Sequence, residues 1–317
     1  PSSGSLALAK DQMMNKTMLD QAQHYLAHRR ALGFQLRSAG RLVLDFARYA
    51  DAGRHRGPLT KELIIRWACL PQHVTRAYWA RRLKVIRLFA RHLLLTEPRT
   101  QLPPRFLFGP DFRRQPPHLY SQTQIVQILR RAGRLSGQLR PHTYQTLIGL
   151  LVCTGLRISE ALNLNSDDVN LEEGLVFVRK SKSGLSRIVP LHRTALAPLT
   201  AYVRRRQRLF ASAQSFFVSE HGWRLVLGTV ESNFLELRKG IAYGRRPPRL
   251  HDFRHTAASR VLQRWQRSKD GALHRIAILA RFLGHTLVTD TYWYLTAFPQ
   301  VLKQATRRFE LHRHENS

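Results

Sequence analysis

Acidic residues are scarce in this chain. Its 317 residues carry 20 Asp and Glu against 52 Lys and Arg, a formal net charge of +32 with an isoelectric point near 11.6. A field of that strength disfavours basic partners and calls for a polyanion, with nucleic acid first in line; an Arg-rich surface set by genome composition is the plainer alternative. Long apolar runs are missing too. None approaches the ~18 residues that span a bilayer, and no secretory apolar core follows the N-terminus. The opening "PSSGS" lacks an initiator Met and is set aside as a processed or engineered start. Cysteine is nearly absent. Cys69 in "RWACLP" and Cys153 in "LLVCTGL" are too few for a disulfide framework or a Cys-based zinc site. Their apolar flanks predict buried thiols in a reducing cytoplasm. Internal repeats are absent as well. What the chain does have is apolar residues at 43%, enough for a globular protein with two cores.

The periodicity divides the chain. Between residues 17 and 95, apolar residues recur at helical spacing in four stretches, "MLDQAQHYLAHRRALGF", "SAGRLVLDFARYADAG", "TKELIIRWACL" and "TRAYWARRLKVIRLFARHLLL". Gly33 marks a stop. The polar faces are basic, with Arg29 and Arg30 on the first stretch and Arg81, Arg82, Lys84, Arg87 and Arg91 on the fourth. From 97 to 117 the text becomes "EPRTQLPPRFLFGPDFRRQPP", too rich in proline for a helix and read as a basic interdomain linker. A second domain runs over 118–317. Ser121 is placed as the N-cap of its first helix. The stretch "PHTYQTLIGLLVCTGLRISEALNL" is helical and broken at Gly155, and "GLVFVRKSKSGLSRIVPL" reads as a β-hairpin. After Pro198 the pattern returns to helices. The fold class expected is mainly α with one small β-sheet, a helical domain over 17–96 and a mixed α/β domain after the linker.

Four short segments carry groups able to do chemistry, and each has a bland reading. In "TGLRISE", Arg157 and Glu160 share a helical face, so Glu160 either holds Arg157 in place or forms an ordinary surface ion pair. In "LHDFRHT", His251, Arg254 and His255 lie on or near one face. The His pair has the i, i+4 spacing of a zinc helix, but Asp252 stands where the base would be and Arg254 puts a fixed cation between the ligands, so no metal is expected. Lys180 and Lys182 sit at the expected hairpin tip, where lysines are usually only solvated. In "LGHTLVTDTYWYL", His285 is followed at seven and nine residues by Tyr292 and Tyr294, which could simply close a core. Together these groups make a phosphoryl site. Arginine binds phosphate through two N–H groups and keeps its charge. Fixed cations can neutralise a phosphodiester without a metal, and a phenol can form a covalent intermediate. On a helix the two phenols diverge by about 200°, so only one can face such a site.

The order Arg157, Lys182, His251-x-x-Arg254, His285, Tyr294 resembles the tyrosine recombinases, a family of phage-type integrases, chromosome-dimer resolvases and transposon resolvases. The motifs "TGLRISEALNL", "RIVPLH", "LHDFRHTAAS" and "LGHTLVTDTYWYL" carry the resemblance over roughly 117–300, and the four-helix N-terminal part matches it in architecture. The resemblance implies a core-binding domain and a catalytic domain that clamp DNA. It implies that Arg157 and Arg254 hold the scissile phosphate, that His251 is the general base or proton shuttle, and that Lys182, eight residues before Pro190, protonates the 5′-hydroxyl leaving group. His285 donates to a nonbridging oxygen. Tyr294, nine residues after His285, attacks to give a 3′-phosphotyrosyl bond, which stores the phosphodiester energy, so neither ATP nor another cofactor is needed. Implied partners are double-stranded DNA with inverted half-sites and further copies of the chain, a dimer per site and a tetramer at a Holliday junction, with an accessory protein allowed for. The setting implied is a bacterial cytoplasm, at the nucleoid. Arg81, Arg82, Lys84 and Arg87, with Arg113 and Arg114 of the linker, are the candidate DNA contacts. A short apolar stripe, Val301, Ala305 and Phe309, would pack in cis or dock on a neighbouring copy. Two other readings compete: a type IB topoisomerase-like enzyme that exchanges no strands, and a DNA-binding regulator on an inactive fold.

Overall fold

The computed structural model describes residues 17–111, 116–179, 185–244, 246–266 and 275–297. The chain forms two compact units that part between Gln115 and Pro116.

The N-terminal unit holds four helices: α1 (Met18–Ala31), α2 (Arg37–Ala52), α3 (Lys61–Cys69) and α4 (Arg76–Leu93). Thr17 starts α1 through a capping box with Asp20, and the Asp51 carboxylate accepts from the free backbone N–H groups of Met18 and Leu19. The helices meet on Leu26, Phe46, Ile64, Trp67, Ile86 and Phe89. The stretch expected to be a linker is bound in its first half. The backbone N–H of Gln101 donates to the Leu59 carbonyl at 2.7 Å, Leu102 and Phe108 pack on the helical core, and Arg87 donates to the Pro103 carbonyl. Proline stops helices but leaves carbonyls and apolar rings to pack, so a proline-rich segment can still be ordered.

The second unit contains α5 (Gln122–Ala132), α6 (Arg140–Thr154), α7 (Ile158–Leu162), β1 (Val169–Asn170), β2 (Leu175–Val178), β3 (Arg187–Pro190), α8 (Arg193–Leu209), α9 (Leu227–Leu237), α10 (His251–Gln266), α11 (Ile276–Leu283) and α12 (Thr289–Ala297). Ser121 caps α5, in a capping box with Gln124, as the sequence predicts. The expected hairpin is β2–β3, paired antiparallel with Val176 opposite Val189, and β1 extends it to a three-stranded sheet in the order β1-β2-β3. Its tip, with Lys180 and Lys182, lies outside the described residues. α6 packs against α5, α8 and α10 over a core that includes Tyr144, Leu147, Leu151, Phe217 and Phe253. Helix α8 begins before Pro198, because the His192 side chain caps it at the backbone N–H of Thr194. The expectation of two buried thiols needs correcting. Cys69 is half-buried, and Cys153 falls on the outer face of α6, between the inward-facing Leu151 and Thr154, and is exposed. No helix among the described residues is long and apolar enough to cross a membrane.

Candidate active site

Helix α6 ends at Gly155, whose φ of +65° suits a residue without a side chain. A Cβ there would also press on Leu283 at 3.2 Å and Ala257 at 3.3 Å, so glycine permits close approach of α10 and α11. The turn delivers Arg157 to the N-cap of α7. There the Arg157 guanidinium meets the Glu160 carboxylate at 2.8 Å, its backbone N–H donates to the other carboxylate oxygen at 3.0 Å, and Nη2 donates to the Gly284 carbonyl at 3.2 Å. Glu160 is buried. This is a holding contact, not a surface ion pair. A second cation shares the carboxylate: Arg187, the first residue of β3, reaches it bidentately at 2.7 and 3.1 Å. Sequence reasoning passed over Arg187 although it opens the "RIVPLH" motif, because only the tertiary fold brings β3 to α7.

Helix α10 supplies the next group. Arg254 is 2% exposed and is held by the carbonyls of Gly155 at 2.9 Å and Leu283 at 2.6 Å. These bonds tie the end of α6 and the end of α11 to one guanidinium. On the same helix the rings of His251 and His255 meet edge to face, 4.8 Å apart. Among the described residues no three His, Cys, Asp or Glu side chains gather as metal ligands. After α11, Gly284 turns the chain with φ +70° and His285 follows, its Nδ1 within 2.8 Å of the Thr291 hydroxyl. That bond ties His285 to α12, which carries both tyrosines. The helix separates them: Tyr292 is 46% exposed and Tyr294 2%. The Tyr294 ring lies parallel to that of His285 at 6.2 Å and tilted to that of His255 at 5.4 Å. His255 was weighed in the sequence only as a metal ligand.

The electrostatics follow from burying many cations together. Burial, then the charge of Arg157, lowers Arg254 to about 10, which leaves it protonated at neutral pH. Burial and the Arg254 charge push His285 down to about 4. The residue surface of His251 is open to solvent, yet dense protein around its ring, with Arg254, holds it at about 4. Burial and His251 hold His255 at about 3. All three imidazoles are therefore neutral near pH 7, each with one donor and one acceptor nitrogen. Burial alone would raise Glu160, but the hydrogen bonds and charge of Arg187, then those of Arg157, outweigh it and hold the carboxyl at about 2. Arg157, His251, Arg254, His285 and Tyr294 thus come together from two helices and two turns; Lys182 lies outside the described residues. Such a pocket can bind an anion, present neutral imidazoles to it and place a phenol beside them.

The N-terminal candidates divide differently. Arg81 is exposed and donates to the Ser38 hydroxyl at 3.0 Å, and Lys84 is exposed and pairs with Asp111 at 2.9 Å. Arg82 must be withdrawn as a DNA contact. It is buried, its guanidinium lies 3.6 Å from the Trp67 ring centre, and it donates to the Trp67 carbonyl at 2.8 Å. The run Arg81-Arg82 looks uniform in sequence, but one helical step of about 100° carries the second arginine onto the core side. Lys84, Arg87, Arg91 and Arg105 line a cavity of about 320 Å³ with Leu102 and Phe106. Arg105 stands alone between Pro104 and Phe106 in the stretch that supplied the candidates Arg113 and Arg114, and only the fold sets it beside α4. Arg113 and Arg114 lie outside the described residues, as does the stripe Val301, Ala305 and Phe309.

Residues 119–300 match the phage integrase family. The chain is 39% identical over 306 residues to a Sinorhizobium fredii protein named as an integrase/recombinase, y4rB, covering 93% of this chain and 97% of that one. It is 27% identical over 236 residues to the tyrosine recombinase XerC of Chlamydia trachomatis, covering 73% and 70%. Among solved structures it resembles in fold the Tn1549 transposon integrase in complex with transposon right end DNA, with a TM-score of 0.67, 16% identity and coverage of 92% and 99%. A lambda integrase dimer bound to a COC′ core site has a TM-score of 0.63 at 17% identity, covering 88% and 95%.

Proposed function

The chain belongs to the phage integrase family, whose tyrosine recombinases transfer DNA strands, and from that premise we propose that it recombines specific DNA sites through a covalent bond to Tyr294. The Tyr294 phenolic oxygen attacks the scissile phosphorus, the bond to the 5′-oxygen breaks, and a 3′-phosphotyrosyl bond forms. The phenolic proton leaves through neutral His251, and Lys182 gives a proton to the departing 5′-oxygen, so each oxygen ends in its correct protonation state. Arg157 and Arg254 stabilise the charge that builds on the nonbridging oxygens, and His285 donates to one of them. Attack by the 5′-hydroxyl of a second strand reverses these steps. Four copies on two duplexes would pass through a Holliday junction, each closing its two units around DNA. Integration, excision or cointegrate resolution of a mobile element fits this chemistry, and the likeness to the Sinorhizobium fredii integrase/recombinase supports such a role.

The observation that carries the reading is the arrangement around Tyr294. Of the two phenols, it is the buried one, beside His285 and His255. Attack therefore requires α12 to yield when DNA binds. The test is a nicked duplex from which the cleaved strand diffuses away, trapping the covalent complex. Tyr294→Phe removes one oxygen and should abolish the adduct while DNA binding survives; Tyr292→Phe should keep it. The adduct should form in EDTA. A trapped nucleotide mapped to Tyr292 by mass spectrometry sinks the assignment. Adduct without strand exchange between two duplexes would point to a topoisomerase-like enzyme.

A further inference from the structure

Glu160 raises a problem of charge. A carboxylate 2.8 Å from the guanidinium of Arg157 cancels the charge that Arg157 would offer to a phosphate. Its burial makes the cancellation stronger, since little water screens the pair. Arg187 lies on the same carboxylate. We propose that Arg187 is a positioning residue that takes up the charge of Glu160, so that Arg157 faces the scissile phosphate as a net cation. The proposal rests on the recombinase reading above and assigns Arg187 no contact with DNA.

Three observations carry it. Both carboxylate oxygens accept from Arg187, at 3.1 and 2.7 Å, whereas the Arg157 side chain uses one, so Arg187 has the larger claim on the anion. Arg187 has a side chain 10% exposed, which commits it to the interior and keeps it off the solvent face where DNA would lie. The third observation is the charge balance. The guanidinium groups of Arg157, Arg187 and Arg254 against the one carboxylate of Glu160 leave two net positive charges. A phosphodiester carries one negative charge and gains a second as the phenolate attacks. With Lys182 committed to the departing 5′-oxygen, the groups left to face the nonbridging oxygens would, without Arg187, match the ground state and fall one charge short of the transition state, and a charge met only in the transition state is what raises the rate.

The same guanidinium fixes geometry. Its Nε donates to the Phe282 carbonyl at 2.9 Å, in the last turn of α11, and a Cβ on Gly284 would meet its Nη1 at 2.7 Å. Arg187 therefore fastens strand β3, the Glu160 helix and the turn leading to His285 at one point. A purely structural bolt and a charge compensator predict different results when Glu160 is neutralised as well, and that difference is the test.

The full-length protein would be compared with Arg187→Gln, Arg187→Lys, Glu160→Gln and the double variant Arg187→Gln/Glu160→Gln. The readouts are single-turnover adduct formation on the nicked duplex and, separately, DNA affinity. Arg187→Gln should slow adduct formation about 10²-fold, the scale of losing one transition-state charge partner, with DNA affinity unchanged. The double variant should be faster than Arg187→Gln by ~10-fold or more, because a neutral amide at position 160 no longer claims the charge of Arg157. Arg187→Lys keeps the charge and loses the fork, so it should lie nearer to wild type than to Arg187→Gln, and it carries the test if Arg187→Gln does not fold. Wild-type adduct formation in Arg187→Gln, a double variant no faster than the single one, or an Arg187→Lys as slow as the double variant overturns the proposal. If the wild-type chain itself forms no adduct, it is the recombinase reading that fails and this inference falls with it.

Discussion

The candidate site of the second unit and the basic face of the first use their cations in opposite ways. In the second unit Arg254 is buried and Arg187 partly so, and their N–H groups are spent on the carbonyls of Gly155, Leu283 and Phe282 and on the Glu160 carboxylate. In the N-terminal unit Arg81 and Lys84 are exposed on one helix, with a single polar partner each among the contacts described. A buried guanidinium gripped by carbonyls is oriented before any substrate arrives, so little reorganisation is left for the reaction. An exposed one supplies attraction at a distance and yields its position readily. The first kind suits chemistry on one phosphate, the second the holding of many.

The whole chain should show the largest effect. If the basic surfaces contact ~6–10 phosphates, affinity should fall about 10³–10⁵-fold between roughly 50 and 200 mM salt; a flat plot of log affinity against log salt breaks the division at once. Next comes Arg254→Lys. It keeps a charge but loses the fork held by two carbonyls, and adduct formation at saturating DNA should drop on the order of 10²–10³-fold. Lys84→Ala, by contrast, should leave that rate alone and only weaken binding. An Arg254→Lys defect confined to affinity would erase the distinction between the units.

Acid should also separate them. His251, His255 and His285 have folded values of about 4, 3 and 4, below the ordinary 6.5. The unfolded chain therefore binds more protons, so the stability they contribute is present above pH ~6.5 and is lost as pH falls from there toward 4. Hydrogen exchange read unit by unit should show the second unit losing protection between about pH 7 and about pH 5 faster than the first, where His92 is lowered, by burial and then by His28. Equal losses would mean that the cation-crowded pocket does not set the acid response. The smallest effect concerns two neighbours. Arg82→Ala removes the stacking on Trp67 and a hydrogen bond to its carbonyl, and should cost about 1–3 kcal/mol of stability by urea unfolding. Arg81→Ala should stay within about 0.5 kcal/mol. If Arg82→Ala instead unfolds like wild type and binds DNA poorly, the buried assignment is wrong.

Much of the organisation was legible in the residues, because it depends on local rules. Helical periodicity marked the four N-terminal helices, Ser121 marked the start of α5, and Gly155 marked the break after α6. β-Branched residues on both sides of a polar turn marked β2 and β3. That the two tyrosines part was also legible: two helical steps carry a side chain to nearly the opposite face, and the structure has Tyr292 exposed and Tyr294 buried; which of them attacks rests on the family spacing alone. The spacing of Arg157 and Glu160 announced their contact for the same reason, since the first turn of a helix brings residues three apart together.

Tertiary structure decided the rest. Nothing local tells Arg81 from Arg82 until the helix is docked on Trp67, and nothing local shows that residues 97–111 lie bound while rich in proline. Arg187 stands 27 residues from Glu160 and 95 from Phe282, yet touches both. The sequence by itself determined which residue types the site would contain and in what order along the chain, because those follow from backbone periodicity and side-chain chemistry. Only the fold decided which charges cancel and which remain for a substrate, because Coulomb interactions depend on distances and burial that no spacing along the chain records.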